Sequence, residues 1–134
     1  MNQPIVLLSG AVLLVDDNAI QAATRQTILR RAGYSVQTAL SPARALEMLQ
    51  RDQIPMGVGA VITDHIMPGM TGAEFVRELR KTMPALPVIV ISGLEEAEQE
   101  YEGLDVRFLL KPLPPDELLA NVRSVLQEEQ QGAA

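Results

Sequence analysis

Five short apolar runs, separated by stretches with helical spacing, constrain the fold of this chain more than any other feature. Each run has the length of a buried strand, and the five cover residues 12–15, 35–39, 60–63, 88–91 and 106–110. Strands that alternate with helices pair in parallel, because a parallel connection needs a crossover. Right-handed crossovers then place helices on both faces of the sheet. The pattern predicts an α/β fold, a doubly wound (βα)5 domain with a five-stranded parallel sheet.

Helix start and stop signals occupy the stretches between the runs. Asn18 can cap a first helix, which ends at Gly33, where glycine permits the left-handed backbone of a helix stop. Ser41 can cap a second helix that runs to about residue 50. Thr71 can cap a third, which must end before Pro84.

The last two predicted helices differ in strength. The fourth, within residues 94–103, carries five glutamates and few apolar residues, so we expect only two or three turns. The fifth follows Pro114-Pro115 and is amphipathic. We predict an N-terminal extension over residues 1–10, one domain over 11–128 and a flexible tail over 129–134.

Composition excludes several classes of function. A net charge of -6 argues against direct binding of nucleic acid, which needs a basic surface. The chain has no cysteine and one histidine, His65, so thiolate chemistry and a histidine-rich zinc site are excluded. The start of the chain lacks a basic segment, and its apolar run is too short for a signal peptide or a membrane span. We therefore expect a cytoplasmic protein without a membrane partner.

Polar side chains follow four of the five predicted strands. Asp16 and Asp17 follow the first, Asp64 the third, Ser92 the fourth and Lys111 the fifth. Each alone is a common turn or cap residue, but doubly wound sheets place their sites at this edge. Three carboxylates here would repel each other and have raised pKa values unless a cation joined them. Oxygen ligands of this kind suit Mg²⁺.

These residues, in this order, resemble the receiver domain of two-component response regulators. The motifs that carry the resemblance are Val15-Asp16-Asp17, the segment 64–72 (DHIMPGMTG), Ser92-Gly93 and Lys111-Pro112. The resemblance spans nearly the whole chain, from about residue 11 to 126. It implies a CheY-like, flavodoxin-like sheet in the order 2-1-3-4-5.

The resemblance also implies a chemical role for each strand-end residue. Asp64 would be the phosphoacceptor, which takes a phosphoryl group from a phosphohistidine. Asp16, Asp17, Asp64 and the backbone carbonyl of Ile66 would hold Mg²⁺. Lys111 and Ser92 would bind phosphoryl oxygens. Such a domain is not an enzyme, although it takes part in its own phosphorylation and dephosphorylation.

A switch belongs to the same resemblance. Phosphorylation would draw Ser92 inward and let Phe108 turn into the space that opens, which changes the surface of the fourth helix, fifth strand and fifth helix. Pro112 would follow a cis peptide bond. His65 follows the acceptor, and we expect its side chain to point to solvent.

The partners and some alternatives stay open. The implied partners are a histidine kinase or phosphotransfer protein and a downstream target or effector domain. The chain is either stand-alone or part of a larger regulator or hybrid kinase. Its acceptor loop resembles those of receivers attached to hybrid kinases. Val106 and Arg107 replace acidic residues that often pair across a receiver dimer, so at most a weak homodimer is expected.

Two other classes of function compete with the phosphoacceptor: a receiver that is not phosphorylated, and a phosphatase or flavodoxin built on a similar sheet. A pseudo-receiver would bind proteins without phosphorylation. A haloacid-dehalogenase-like phosphatase would need a second aspartate two residues after the first, where this chain has Asn18 and Ile66. A flavodoxin would need a phosphate-binding loop after the first strand and aromatic residues for the flavin.

Overall fold

The structure, a computed structural model, describes the backbone of residues 10–54 and 57–133, with side chains as far as residue 126. Apart from Gly10, the predicted extension 1–10 lies outside the described residues. The described chain has five strands: β1 (Ala11–Val15), β2 (Val36–Ala39), β3 (Val58–Asp64), β4 (Val88–Ser92) and β5 (Arg107–Leu110). Its helices are α1 (Ala19–Arg31), α2 (Pro42–Gln50), α3 (Gly72–Thr82), a 3₁₀ helix (Glu95–Tyr101) and α4 (Pro115–Ala133).

The sheet confirms the predicted topology. All four neighbouring pairs are parallel, and the strand order is β2-β1-β3-β4-β5. The order reverses between β1 and β3, and in such sheets a crevice opens at that point, at the carboxyl ends of the strands. Asp16 directly follows β1 and Asp64 ends β3, so both lie at this crevice.

The predicted caps position the first and third helices. The Asn18 side chain accepts a hydrogen bond from the Gln21 N–H at 2.9 Å, and Gly33 has a φ of 100° just beyond α1. Thr71 and Glu74 form a reciprocal capping box at the start of α3. Ser41 caps α2 in the predicted way. Each cap satisfies backbone donors that a helix leaves unpaired at its N-terminus.

Two apolar layers enclose the sheet. Alternate residues of each strand face opposite sides, so Leu13 packs with α2 and α3, whereas Leu14 packs with α1 and α4. Phe75 on α3 and Leu29 on α1 are fully buried in the two layers. Burial on both faces fixes the strands, and therefore the positions of the side chains at their ends.

The last two helices differ in how they meet the predictions. The 3₁₀ helix has seven residues, which agrees with the expected short element. The α4 backbone is helical through Ala133, although residues 129–134 were predicted as a tail. The domain boundary at 128 remains a prediction. Among the described residues, no helix has both the length and the hydropathy to cross a bilayer.

Candidate functional site

Three carboxylates meet at the carboxyl edge of the sheet, and we call Asp16, Asp17 and Asp64 the acid edge. The register pairs Val15 with Thr63, which brings the two following aspartates side by side. One oxygen from each of the three carboxylates lies within 4.8 Å of the others. Asp16 and Asp64 are buried, at 0% and 4% exposure, whereas Asp17 is exposed. The sequence therefore predicted correctly that these carboxylates converge.

Two side chains of α1 that the sequence analysis did not single out reach into the acid edge. Arg25 Nη1 lies 3.2 Å from Asp16 Oδ2 and 3.2 Å from Asp64 Oδ1. Gln21 Nε2 donates to Asp16 Oδ2 at 2.7 Å and to Asp64 Oδ2 at 2.8 Å. The α1 helix thus supplies both a positive charge and amide donors to the buried pair.

A signal for Arg25 is present in the sequence. The buried face of α1 carries Ala22, Arg25 and Leu29, spaced by three and four residues. An arginine on an apolar helix face needs an anionic partner, because an unpaired buried charge is very costly. The spacing alone could therefore have directed attention to a carboxylate beneath α1.

Lys111 and Ser92 lie on the other side of Asp64. Lys111 Nζ is 3.4 Å from Asp64 Oδ1, and its backbone N–H donates to the carbonyl oxygen of Ser92 at 2.8 Å. The Ser92 hydroxyl is buried and accepts a hydrogen bond from the Leu94 N–H at 2.9 Å. Lys111 thus contacts Asp64 directly, whereas Ser92 is engaged with its own loop. The Lys111–Pro112 peptide bond is cis.

Burial raises the pKa of Asp16. The Asn18 N–H and the Gln21 amide lower this pKa, and the negative charge of Asp64 raises it. Repulsion between carboxylates, the expected cause of raised pKa values, is therefore a smaller contribution than desolvation. The expectation allowed for a cation among the carboxylates, and Arg25 and Lys111 each bring one.

The residue after Asp64 corrects another expectation. The prediction that His65 points to solvent is wrong, because the residue is only 5% exposed. Its Nδ1 forms a 2.7 Å hydrogen bond with the hydroxyl of Tyr101, and its Nε2 lies 3.5 Å from Glu100 Oε2. Both partners belong to the 3₁₀ helix. This link has no local signal in the sequence because it joins residues 36 positions apart.

An aromatic column continues from His65 to β5. The His65 and Tyr101 rings are 5.5 Å apart, and the Tyr101 and Phe108 rings are 5.7 Å apart. Phe108 is half-buried and lines an open groove with the glutamates of the 3₁₀ helix. Tyr101, which is 4% exposed, lies between His65 and Phe108. Phe108, which is expected to turn inward, therefore has Tyr101 as a neighbour, a contact that the sequence alone does not indicate.

The acid edge fits a hard divalent cation. Its donors are carboxylate oxygens close enough to share one ion, which is the ligand type that Mg²⁺ takes. Asp17 offers an exposed carboxylate at the mouth of the site. The side chain of Ile66 is 66% exposed, and the role of its carbonyl remains a prediction.

Comparison with known proteins identifies the family of this chain. Residues 12–123 match the model of the response regulator receiver domain family. Response regulator MprA of Mycobacterium leprae is 36% identical over 115 residues, which are 84% of this chain and 48% of that protein. Two-component response regulator ORR6 of Oryza sativa is 35% identical over 119 residues, or 80% of this chain and 65% of that protein. The chain thus spans about half the length of MprA.

Solved structures show the same fold. Chemotaxis protein CheY4 of Vibrio cholerae is 30% identical, with a TM-score of 0.77 over 87% of this chain and 98% of that one. A receiver domain protein of Methanospirillum hungatei has a TM-score of 0.82 over 92% of this chain and 98% of that one, at 23% identity. That second likeness supports the fold alone. With the family model matched from β1 into α4, this chain belongs to the response regulator receiver domains of two-component systems.

Proposed function

We propose that Asp64 is the phosphoacceptor of this receiver domain. The observation that carries the proposal is the position of Asp64, which ends β3 with its carboxylate beside Asp16 and 3.4 Å from Lys111 Nζ. In the proposed reaction, a carboxylate oxygen of Asp64 attacks the phosphorus of a phosphohistidine. The new O–P bond forms an acyl phosphate, and the N–P bond breaks as the imidazole leaves.

The neighbours of Asp64 have separate tasks in this proposal. Lys111 places a positive charge beside one acceptor oxygen, where it can neutralise a phosphoryl oxygen. Asp16, Asp17 and Asp64, with the carbonyl of Ile66, would hold Mg²⁺, which when bound would neutralise negative charge on the carboxylates and the incoming phosphoryl group. Ser92 would leave its contact with the Leu94 N–H to donate to the phosphoryl group.

The proposed output runs along the aromatic column. Withdrawal of Ser92 would move the loop that precedes the 3₁₀ helix, and Phe108 and Tyr101 border the groove on that side. The phosphoryl donor would be a histidine kinase or a phosphotransfer protein. The reader of the switch would be a downstream protein or an effector domain. We also propose the cytoplasm as the compartment, and a weak homodimer stays open.

One observation favours a second candidate, a receiver that binds partners without being phosphorylated. Both carboxylate oxygens of Asp64 already accept contacts from its own chain, from Arg25 and Lys111 at one oxygen and from Gln21 at the other. In this second function these contacts would persist, and Asp64 would serve only to stabilise the fold.

Phosphorylation by a small-molecule donor separates the two functions. The protein is incubated with acetyl phosphate and Mg²⁺, and intact mass and base lability are measured. We expect one added phosphoryl group on the wild type, none on Asp64→Asn and none when EDTA removes the metal. An adduct that persists in Asp64→Asn contradicts the acceptor assignment. A wild type that never reacts, with acetyl phosphate or with a histidine kinase, favours the second candidate.

A further inference from the structure

Arg25 occupies a position that the α1 helix otherwise gives to apolar side chains. Ala22 and Leu29, the other buried residues of that helix, contact the core. The Arg25 side chain is only 11% exposed, so its charge is largely removed from water. Burying a guanidinium is costly unless anions surround it. The structure supplies two, Asp16 and Asp64.

The geometry of the contact is that of a single bridging cation. One nitrogen, Nη1, lies at 3.2 Å from both carboxylates, and the fork of the guanidinium is not used in a bidentate pair with either. A divalent ion at the acid edge would need oxygens of the same two carboxylates. Gln21 Nε2 takes a second oxygen of Asp64 and shares the Asp16 oxygen with Arg25.

We propose that Arg25 is an internal cation that competes with Mg²⁺ for Asp16 and Asp64. The inference rests on the proposed metal site and adds a regulatory property to it. Without metal, Arg25 would neutralise the buried pair and hold the acceptor. Loading the site would require Arg25 Nη1 to leave Asp16 and Asp64, and the site would bind Mg²⁺ more weakly than its three carboxylates alone would allow.

A place for the displaced side chain exists beside α1. Arg25 borders an open cleft between α1 and the start of α4, with Lys111 and Leu118 on the opposite wall. The cleft has a volume of about 380 Å³, so the guanidinium can move outward without unfolding α1. Its charge would then be near the mouth of the site and closer to solvent.

Calorimetric titration of the whole chain with MgCl₂ tests the competition. We expect Arg25→Met to bind Mg²⁺ at least about tenfold more tightly than the wild type, because metal binding no longer breaks a charge-assisted contact. Arg25→Lys keeps the charge and should fall between the two. Arg31→Met is the matched control, since it removes the same charge from an exposed position on the same helix. Its Kd should equal that of the wild type.

Thermal unfolding at several Mg²⁺ concentrations gives a second test. A purely structural role of Arg25 would lower Tm by the same amount at every Mg²⁺ concentration. In EDTA, Arg25→Met should melt below the wild type, because two buried carboxylates face each other with less compensation. As Mg²⁺ rises, the difference in Tm should shrink, since the tighter-binding variant gains more from the same ligand concentration. A difference in Tm that stays constant would overturn the competition.

The outcomes separate this inference from the metal site itself. If Mg²⁺ binds the wild type and Arg25→Met equally, or the variant more weakly, the competition is wrong and the metal site stands. If no variant binds Mg²⁺, both fall. Asp17→Asn should weaken binding in either background, which ties the measured heat to the acid edge.

If Arg25→Met does not fold, the wild type alone decides the question. The Nε–H resonance of Arg25 is followed by NMR during the Mg²⁺ titration. We expect it to shift with the same midpoint as the binding heat, since its guanidinium leaves the two carboxylates. A resonance that remains in place while the site fills would overturn the proposal.

Discussion

Negative charge gathers at two regions of this domain, and the two treat it in opposite ways. At the acid edge, Asp16 and Asp64 are buried. Their carboxylate oxygens are contacted by the side chains of Arg25, Lys111 and Gln21. On the 3₁₀ helix and the residue that follows it, the charges form what we call the glutamate face, and all of them are exposed: Glu95, Glu96, Glu98, Glu100 and Glu102. The first region has a geometry that chemistry can use. The carboxylates of the second region face solvent, although Glu100 also lies near His65.

A short contact path through His65 and Tyr101 joins the two regions. His65 follows Asp64 along the chain and bonds to the Tyr101 hydroxyl, and Tyr101 ends the 3₁₀ helix. Gly72, the first residue of α3, lies against Asp64 and Tyr101. A Cβ at this position would meet the Tyr101 hydroxyl and the Asp64 carbonyl. This junction is therefore one route from the acid edge to the glutamate face, beside the Ser92–Leu94 loop that leads into the 3₁₀ helix. The predictions that follow test the junction first and the two regions after it.

The largest effect is expected at Gly72. In Gly72→Ala, the added Cβ would lie 2.6 Å from the Asp64 carbonyl oxygen and 3.0 Å from the His65 Cα, and backbone atoms cannot move aside cheaply. We expect a loss of about 2 to 3 kcal/mol in the free energy of unfolding, measured by urea denaturation.

Gly93→Ala is the control for that substitution. Gly93 follows Ser92 at the neighbouring strand end, and a Cβ there would meet nothing within 4 Å. Its unfolding free energy should change by less than about 1 kcal/mol. Equal losses in the two variants would mean that the close approach at Gly72 is not what the fold requires.

An intermediate effect is expected from the Tyr101 hydroxyl. Tyr101→Phe keeps the ring against Phe108 and removes the 2.7 Å hydrogen bond to His65. We expect a loss of about 1 to 2 kcal/mol in the free energy of unfolding at neutral pH, because a buried partner is left unsatisfied. Phe108→Leu, which alters the column without touching that bond, serves to separate packing from hydrogen bonding.

The pH dependence of the unfolding free energy gives a second test of the buried Tyr101 hydroxyl. Burial raises the pKa of Tyr101 above 10.0, and the charge of Glu100 raises it further. The unfolded chain therefore loses this proton first, so the stability of the wild type should fall as the pH rises above 10. Tyr101→Phe should show a smaller fall. Parallel curves for the two proteins would show that Tyr101 does not carry the pH dependence.

The sequence predicts the features of this molecule that have local signals better than the contacts between distant segments. Short apolar runs, caps such as Asn18 and Thr71, and residues at strand ends are local signals, and the structure has the predicted strands and caps at these places. The convergence of Asp16 and Asp64 follows from parallel pairing. Contacts between distant segments have weaker signals. The spacing of Arg25 on the buried face of α1 indicates that it needs an anion, but not which carboxylates supply it. The His65–Tyr101 bond has no sequence signal, and only the packing of the helices on the sheet shows it.

The smallest effect is expected on the glutamate face itself. Replacing Glu95, Glu96 and Glu98 together by glutamine removes three exposed charges that repel one another, so Tm should change by less than about 3 °C, or rise slightly. If Tm rises in the triple variant, added salt should raise the Tm of the wild type in the same way, because salt screens the same repulsion. Glu100→Gln is the matched control, since Glu100 Oε2 lies 3.5 Å from His65 and belongs to the junction as well as to this face. If the triple variant loses as much stability as Tyr101→Phe, the glutamates have structural partners, and the division between a paired acid edge and a solvated glutamate face is wrong.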